Sequence, residues 1–214
     1  MIILPKSNDT DLRQLLYDVQ EGKIQLPEFQ RDWTWDDNRI RGIIASLSQG
    51  YPMGAIMQLQ YGNPEIKFKY RTITGVGNKI VTPEFLVLDG QQRLTSIYQS
   101  TYSNQVVATK TDKGKSIKRF YYLDMNKCLD DNEDRLDAVI SVPQDRKIKT
   151  NFDRDIIMDL STREFEYQLK MFPINIIYDN TQLMQWNFGY MMYYKEDENA
   201  NDLLNRFQKE VVET

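Results

Sequence analysis

The feature that most constrains this chain is Phe85-Leu-Val-Leu88, four consecutive apolar residues that run straight into Asp89-Gly-Gln-Gln-Arg93. A short continuous apolar run bounded by a turn signal reads as a strand covered on both faces. Leu94, Ile97 and Tyr98 then recur at helical spacing through about Tyr102. A buried strand that turns directly into a helix calls for a sheet with helices packed against it.

The same junction is chemically suggestive. The first N–H groups of a helix have no partner within it and point outward together with the positive end of the helix dipole, a geometry that suits a phosphate. Two readings fit the residues. In one, Asp89 caps the helix and Gln92 completes a capping box, Asp-x-x-Gln. In the other, the loop holds an anionic ligand. Arg93 bears on the choice, because a cation in the first helical turn costs roughly 0.3–1 kcal/mol unless an anion lies near it. That anion is either Asp89 or a bound phosphate.

Around this centre the remaining pattern is legible. Residues 8–20 read as a helix capped by Asp9 or Thr10, with Leu12, Leu15, Leu16 and Val19 on one face and Gly22 as the stop. A second helix starts at Asp36 or Asp37, carries Ile40, Ile43, Ile44 and Leu47 inward, and ends at Gly50-Tyr-Pro-Met-Gly54. Residues 55–61 suggest a strand, and 66–74 with 79–82 suggest hairpin arms around Gly75-Val-Gly-Asn78. A further hairpin is expected from 105–110 and 116–124. Beyond Cys128 an acidic, solvated stretch (130–137) leads to helical patterns at 153–160, 181–194 and 199–212, with a possible strand at 172–178. The last helix reaches the terminus without a closing signal, as expected of a segment of a longer protein.

Composition removes whole classes of chemistry. Among 214 residues there is no histidine and one cysteine, Cys128. His-metal hydrolases, Ser-His-Asp triads and histidine-based nucleases are therefore excluded within this sequence, as are a disulfide framework and a cysteine-built zinc site. A formal charge of −4 gives no global basic excess, so any nucleic-acid contact must come from a local patch. No apolar run approaches the roughly 20 residues of a membrane span, and Met1–Leu4 does not open a signal peptide. A soluble, cytoplasmic protein is expected.

Pro27 is followed by Phe29, Gln30, Arg31, Trp33 and Trp35. Either the aromatics cover the core and Arg31 stacks on one of them, or they fix the loop so that Gln30 and Arg31 face a ligand. Taken together, Leu26-Pro-x-Phe-Gln-Arg-x-Trp-x-Trp35, Gly50-Tyr-Pro-Met-Gly54 and Val87-Leu-Asp-Gly-Gln-Gln-Arg-Leu-Thr95 resemble the GmrSD N-terminal-domain family, in words, order and spacing. The match is close over about residues 8–102 and loose beyond.

The resemblance implies an α+β, ParB/sulfiredoxin-like fold, a small mixed β-sheet with packed helices plus a more helical C-terminal portion: residues 1–128 as the nucleotide-binding domain and 129–214 as a helical annex. It further implies an NTP-binding and NTP-hydrolysing regulatory domain of a modification-dependent phage-defence restriction system. GTP, UTP and ATP are not distinguished, and Mg²⁺ is the expected metal. The implied partners are phage or modified DNA and a His-Asn-His nuclease domain, in the same chain or another. Carried over residue by residue, Gly90 approaches phosphate, and Gln91, Gln92 and Thr95 orient the triphosphate or a water. Arg93 neutralises charge, Asp89 binds Mg²⁺ or positions water, and Gln30 and Arg31 complete the pocket. Asp89, Gln92 and Arg93 are the catalytic candidates. The sequence ends before the family's later Arg-Ile-Asn-x-Gly-Gly-type segment. Sulfinic-acid reduction does not fit, because the loop holds no cysteine.

Other signals are weaker. Lys110, Lys113, Lys115, Lys118 and Arg119 form a basic cluster, either a solvated hairpin edge or a DNA-backbone contact. Gly75-Val-Gly77 lacks the lysine of a P-loop. Glu65-Ile-Lys67 could end an acidic nuclease motif. Met184, Met191 and Met192 suggest core or a partner-facing surface. A non-catalytic DNA-binding module and a ParB-like Mg²⁺-dependent nuclease are thus the alternatives to an NTPase.

Overall fold

In the computed structural model residues 9–62, 68–103 and 105–213 are described. Asp11, not Asp9 or Thr10, caps the first helix, α1 (Leu12–Gln20), its carboxylate accepting from Arg13 N at 2.7 Å. Leu15, Leu16 and Val19 are buried, and Gly22 follows with φ of 76°. The chain enters β1 (Ile24–Pro27), all four residues of which are buried. Asp36 caps α2 (Asp37–Leu47), whose Ile40, Ile44 and Ala45 face inward. Strands β2 (Met57–Gln60), β3 (Tyr70–Arg71) and β4 (Phe85–Asp89) complete a four-stranded sheet in the order β2-β4-β1-β3. The two central strands are parallel, with Ile24 opposite Phe85 and Gln25 opposite Leu86, and both edges are antiparallel. Leu86 and Val87 are fully buried, as the apolar run requires.

The arms expected around Gly75 do not pair with each other. β3 pairs with β1, and residues 79–82 form no strand; residues 66 and 67 lie outside the described set. Pairing with β1, distant in the same chain, replaces the local hairpin.

From β4 the chain passes into α3 (Gln91–Ile97), which continues as a π-type turn, Tyr98–Tyr102. The hairpin of β5 (Val107–Lys110) and β6 (Ser116–Asp124) forms as expected, its turn closed by Gly114 N to Thr111 O at 2.9 Å. Two short helices follow, α4 (Met125–Cys128) and α5 (Arg135–Ala138), and the acidic stretch between them is exposed. β7 (Val139–Pro143) pairs with β6 along 119–123, on the edge opposite β5. Residues 153–160, expected to be helical, instead hold β9 (Asp155–Asp159), antiparallel to β8 (Lys147–Thr150). Branched Ile156 and Ile157 favour extended backbone. Asn151, Phe152 and Asp153, all at positive φ, make the turn that lets the strands pair. The expected strand at 172–178 is shorter: β10 (Met171–Pro173) joins β6 and gives way to a 3₁₀ turn at Ile174–Ile176.

Thr162 caps α6 (Arg163–Gln168), Asp179 caps α7 (Asn180–Tyr193), and Asp197 caps α8 (Glu198–Phe207). Trp186 and Tyr190 of α7 are buried with Phe172 and Phe207, whereas Met184, Met191 and Met192 are exposed. That cluster also takes in Ile40, Ile44 and Ala45 of α2, while α1, β1, β4 and α3 enclose a second core. Strand pairing and core packing thus both run across residue 128. Beneath β6 lies fully buried Glu166, which accepts from Trp186 Nε1 and Arg163 at 2.9 Å and from Tyr122 at 3.2 Å. Burial pushes its carboxyl up, against the pull of Arg163 and Trp186.

Candidate functional site

The Asp89–Arg93 loop does not form a capping box. Gly90 occupies the N-cap of α3 in the left-handed region, at φ of 90°, and no side chain caps the helix. A side-chain carboxylate at Asp89 is therefore one residue too early to cap, because β4 extends through it. A Cβ at Gly90 would stand 3.1 Å from Ile56 Cγ1 and 3.3 Å from Ile56 Cα, so close backbone approach to the neighbouring strand adds to the demand for glycine.

The three sequence motifs converge on this loop through side-chain to backbone hydrogen bonds. From the aromatic segment, Gln30 Nε2 donates to Leu88 O at 2.7 Å. Gln91 Nε2 donates to Arg31 O at 2.9 Å, and Gln92 Nε2 to Asp32 O at 2.9 Å. Gln92 Oε1 accepts from Thr34 N at 2.9 Å, so one amide binds both sides of the turn. Trp33 Nε1 donates to Ser96 Oγ at 2.9 Å. From the glycine-bounded motif, Met53 O and Ala55 O accept from the Arg93 guanidinium, the second at 2.9 Å. A Cβ at Gly54 would overlap Arg93 Nη1, so that glycine is the space in which the guanidinium lies.

The predicted residues accordingly fall into two groups. Gln30, Gln91, Gln92 and Arg93 hold the loop and the two segments beside it. Asp89 and Arg31 are exposed at the surface. The Asp89 side chain is 75% accessible and stands 3.7 Å from Arg93 Nη2, while the Arg31 side chain has no partner among the described residues. Thr95 Oγ1 is fully buried and likewise lacks a hydrogen-bond partner. Sequence reasoning missed Arg71, which donates to Gln30 O at 2.9 Å and to Arg31 O at 3.3 Å and pairs with Asp32 at 3.1 Å. No local signal marks it, since its partners lie about forty residues away.

Lys113, Lys115 and Lys118 are exposed on the β5–β6 hairpin, and Arg119 is half-buried with Nε unpartnered. None of these, nor Lys110, forms an ion pair with a described residue, and none shares a hydrogen bond with the Asp89–Arg93 loop. Thr109 Oγ1 ties the hairpin to the aromatic segment by donating to Trp35 O at 2.7 Å. Glu65-Ile-Lys67 lies outside the described residues. Two clefts of about 590 and 450 Å³ open on the surface, and neither is lined by Asp89–Arg93. Within the loop Asp89 is exposed and Arg93 half-buried, while Gly90, Gln91 and Gln92 are buried. Among the described residues no three metal-ligating side chains cluster, and no helix is long and apolar enough to cross a membrane.

Fold and site together define an α+β domain organised around a tethered strand–loop–helix. The chain belongs to the family described as GmrSD restriction endonuclease, N-terminal domain, whose model matches residues 12–210. It is 31% identical over 196 residues to an uncharacterized protein of Methanocaldococcus jannaschii, MJ0686, covering 88% of this chain. The chain spans about a third of that relative, 31% of its length.

Proposed function

We propose that this chain is the nucleoside-triphosphate-binding domain of a modification-dependent restriction system, with the Asp89–Arg93 loop as the phosphate site. The observation that carries the reading is the convergence of the three motifs on a helix start that no side chain caps, with two charged groups left outward, Asp89 and Arg31. Family membership supports the restriction-system setting.

In this reading Arg31 offers its guanidinium to phosphate oxygens, and Gly90 lets the backbone approach. Gln30, Gln91, Gln92 and Arg93 keep the loop rigid so that binding orders little else. An exposed carboxylate suits a Mg²⁺ that arrives on the triphosphate and takes one ligand from Asp89, and among the described residues no cage made wholly of protein is present. Such an ion would withdraw charge from the phosphates. Hydrolysis, the identity of the nucleotide, contact of modified DNA by Lys113, Lys115, Lys118 and Arg119, and a His-Asn-His nuclease as effector complete the proposal. A solely DNA-binding role would rest on the hairpin cluster alone.

The test is calorimetric titration of the chain with ATP, GTP and UTP in Mg²⁺, beside Arg31→Ala. Among the described residues Arg31 has no side-chain partner, and its side chain is exposed, so the variant should unfold close to the wild-type temperature. Its affinity should fall about 10- to 100-fold, the worth of one charge-assisted contact. The proposal fails if none of the three nucleotides binds, or if Arg31→Ala binds as wild type does.

A further inference from the structure

The cleft of about 590 Å³ lies at the far end of α3 from the phosphate loop, and its lining has a consistent chemistry. The volume falls in the roughly 300–1,000 Å³ range of small-molecule sites. Tyr98, Tyr102 and Tyr178 supply aromatic surface: Tyr98 and Tyr102 stack at 5.8 Å and 23°, and Tyr178 continues the series at 6.2 Å and 33°. The Gly75–Gly77 turn brings backbone to the lining without side chains. Gln20, Gln105 and Asn180 add amides, and Tyr98 donates its hydroxyl to Gln20 Oε1. Burial raises all three phenols, Tyr98 and Tyr178 to about 12, so at neutral pH they are uncharged.

No lysine or arginine is among the described lining residues, and the one cation that abuts them, Arg13, is engaged: it donates to Asn180 Oδ1 at 2.7 Å and lies 5.5 Å over the Tyr178 ring, so the cleft is poorly suited to phosphate. Its carboxylate, Asp179, is engaged as the cap of α7, accepting from Gln182 N at 3.0 Å and Nε2 at 2.8 Å. Beside Gly75, the amide nitrogen of Gln99 is buried without a partner. Aromatic rings with neutral amides and phenols match a planar ligand that offers a face to stack and an edge bearing both donors and acceptors.

We propose that this cleft binds a nucleobase, from a free nucleoside or from a nucleic acid strand. The site shares no residue with Asp89–Arg93, and a nucleoside carries no phosphate. Failure here would therefore leave the triphosphate reading standing.

The probes are adenosine, guanosine, cytidine and uridine, then a single-stranded DNA 12-mer and the same strand with abasic sites, titrated calorimetrically into the chain. Gly77→Phe is the blocking variant: Gly77 lines the cleft, and a Cβ there meets nothing within 4 Å. A nucleoside that binds the wild type and loses at least about tenfold in Gly77→Phe, the size of a lost base stack, supports the free-nucleoside source. Preference for intact over abasic strand, lost in the same variant, supports the nucleic acid source. The proposal is overturned if no nucleoside binds and the two strands bind alike, or if a natively folded Gly77→Phe binds as wild type does. Should Gly77→Phe not fold, Tyr102→Ala, which removes a half-buried lining ring, decides by the same readings.

Discussion

Gly54→Ala should cost more while Arg93 is present than in its absence, and this tests how the loop is held. The methyl group meets two penalties. Gly54 has φ of 81°, where an L-residue costs roughly 1–2 kcal/mol. The added Cβ also overlaps Arg93 Nη1 and stands 3.4 Å from Cζ, so the guanidinium must leave the carbonyls of Met53 and Ala55. Each charge-assisted bond is worth roughly 1.5–3 kcal/mol in a buried site. The Arg93 side chain is 26% accessible and both carbonyls can be hydrated, so about half is retained, roughly 1.5–3 kcal/mol for the pair. Gly54→Ala should then cost about 2.5–5 kcal/mol and Arg93→Ala about 1.5–3. In the double variant only the backbone penalty adds to the loss of Arg93, so the total stays near 2.5–5 and the coupling is about 1.5–3 kcal/mol. Urea unfolding followed by circular dichroism and tryptophan fluorescence measures all four proteins, and coincident transitions justify the two-state treatment. Costs that add within about 0.5 kcal/mol would refute the clamp.

Three further outcomes are expected. Glu166→Ala leaves the Trp186 indole N–H and the Tyr122 hydroxyl buried without an acceptor, at roughly 1–3 kcal/mol each, so the melting temperature should drop by several degrees; a shift under 1 °C contradicts the network. Burial raises the Cys128 thiol to about 12, so it should resist iodoacetamide in the native protein at pH 8 and react at once in urea; rapid native labelling would contradict its burial. Bonds from Lys147 and Ser161 hold Asp159 at about 2, below its ordinary 3.8, so its stabilisation is complete above pH 4 and is lost as the pH falls toward 2. Asp159→Asn should flatten the acid limb of stability against pH, and an unchanged limb would assign it to other carboxylates.

What the sequence by itself determined is what short-range physics writes. Residues 85–98 had to be a buried strand turning into a helix, because four apolar residues, a glycine and a 3.6-residue period admit little else. The faces of α1 and α2, the existence of α7 and α8 as helices, and the β5–β6 hairpin follow from the same periodicities, although at α1 the cap is Asp11 and not the expected Asp9 or Thr10. The absence of histidine removed whole chemistries outright. Tertiary structure decided the rest, because partners far apart in the chain set it. Residues 153–160 read as a helix alone and became β9 once β8 gave their backbone a partner. Asp89 read as a cap until β4 extended through it and left Gly90 at the helix start. Gln91, Gln92 and Arg93 read as ligand groups, yet each finds backbone carbonyls some 40 to 60 residues away. A polar side chain announces only its capacity to bond. Which group satisfies it is settled by the segments that the fold brings within 3 Å.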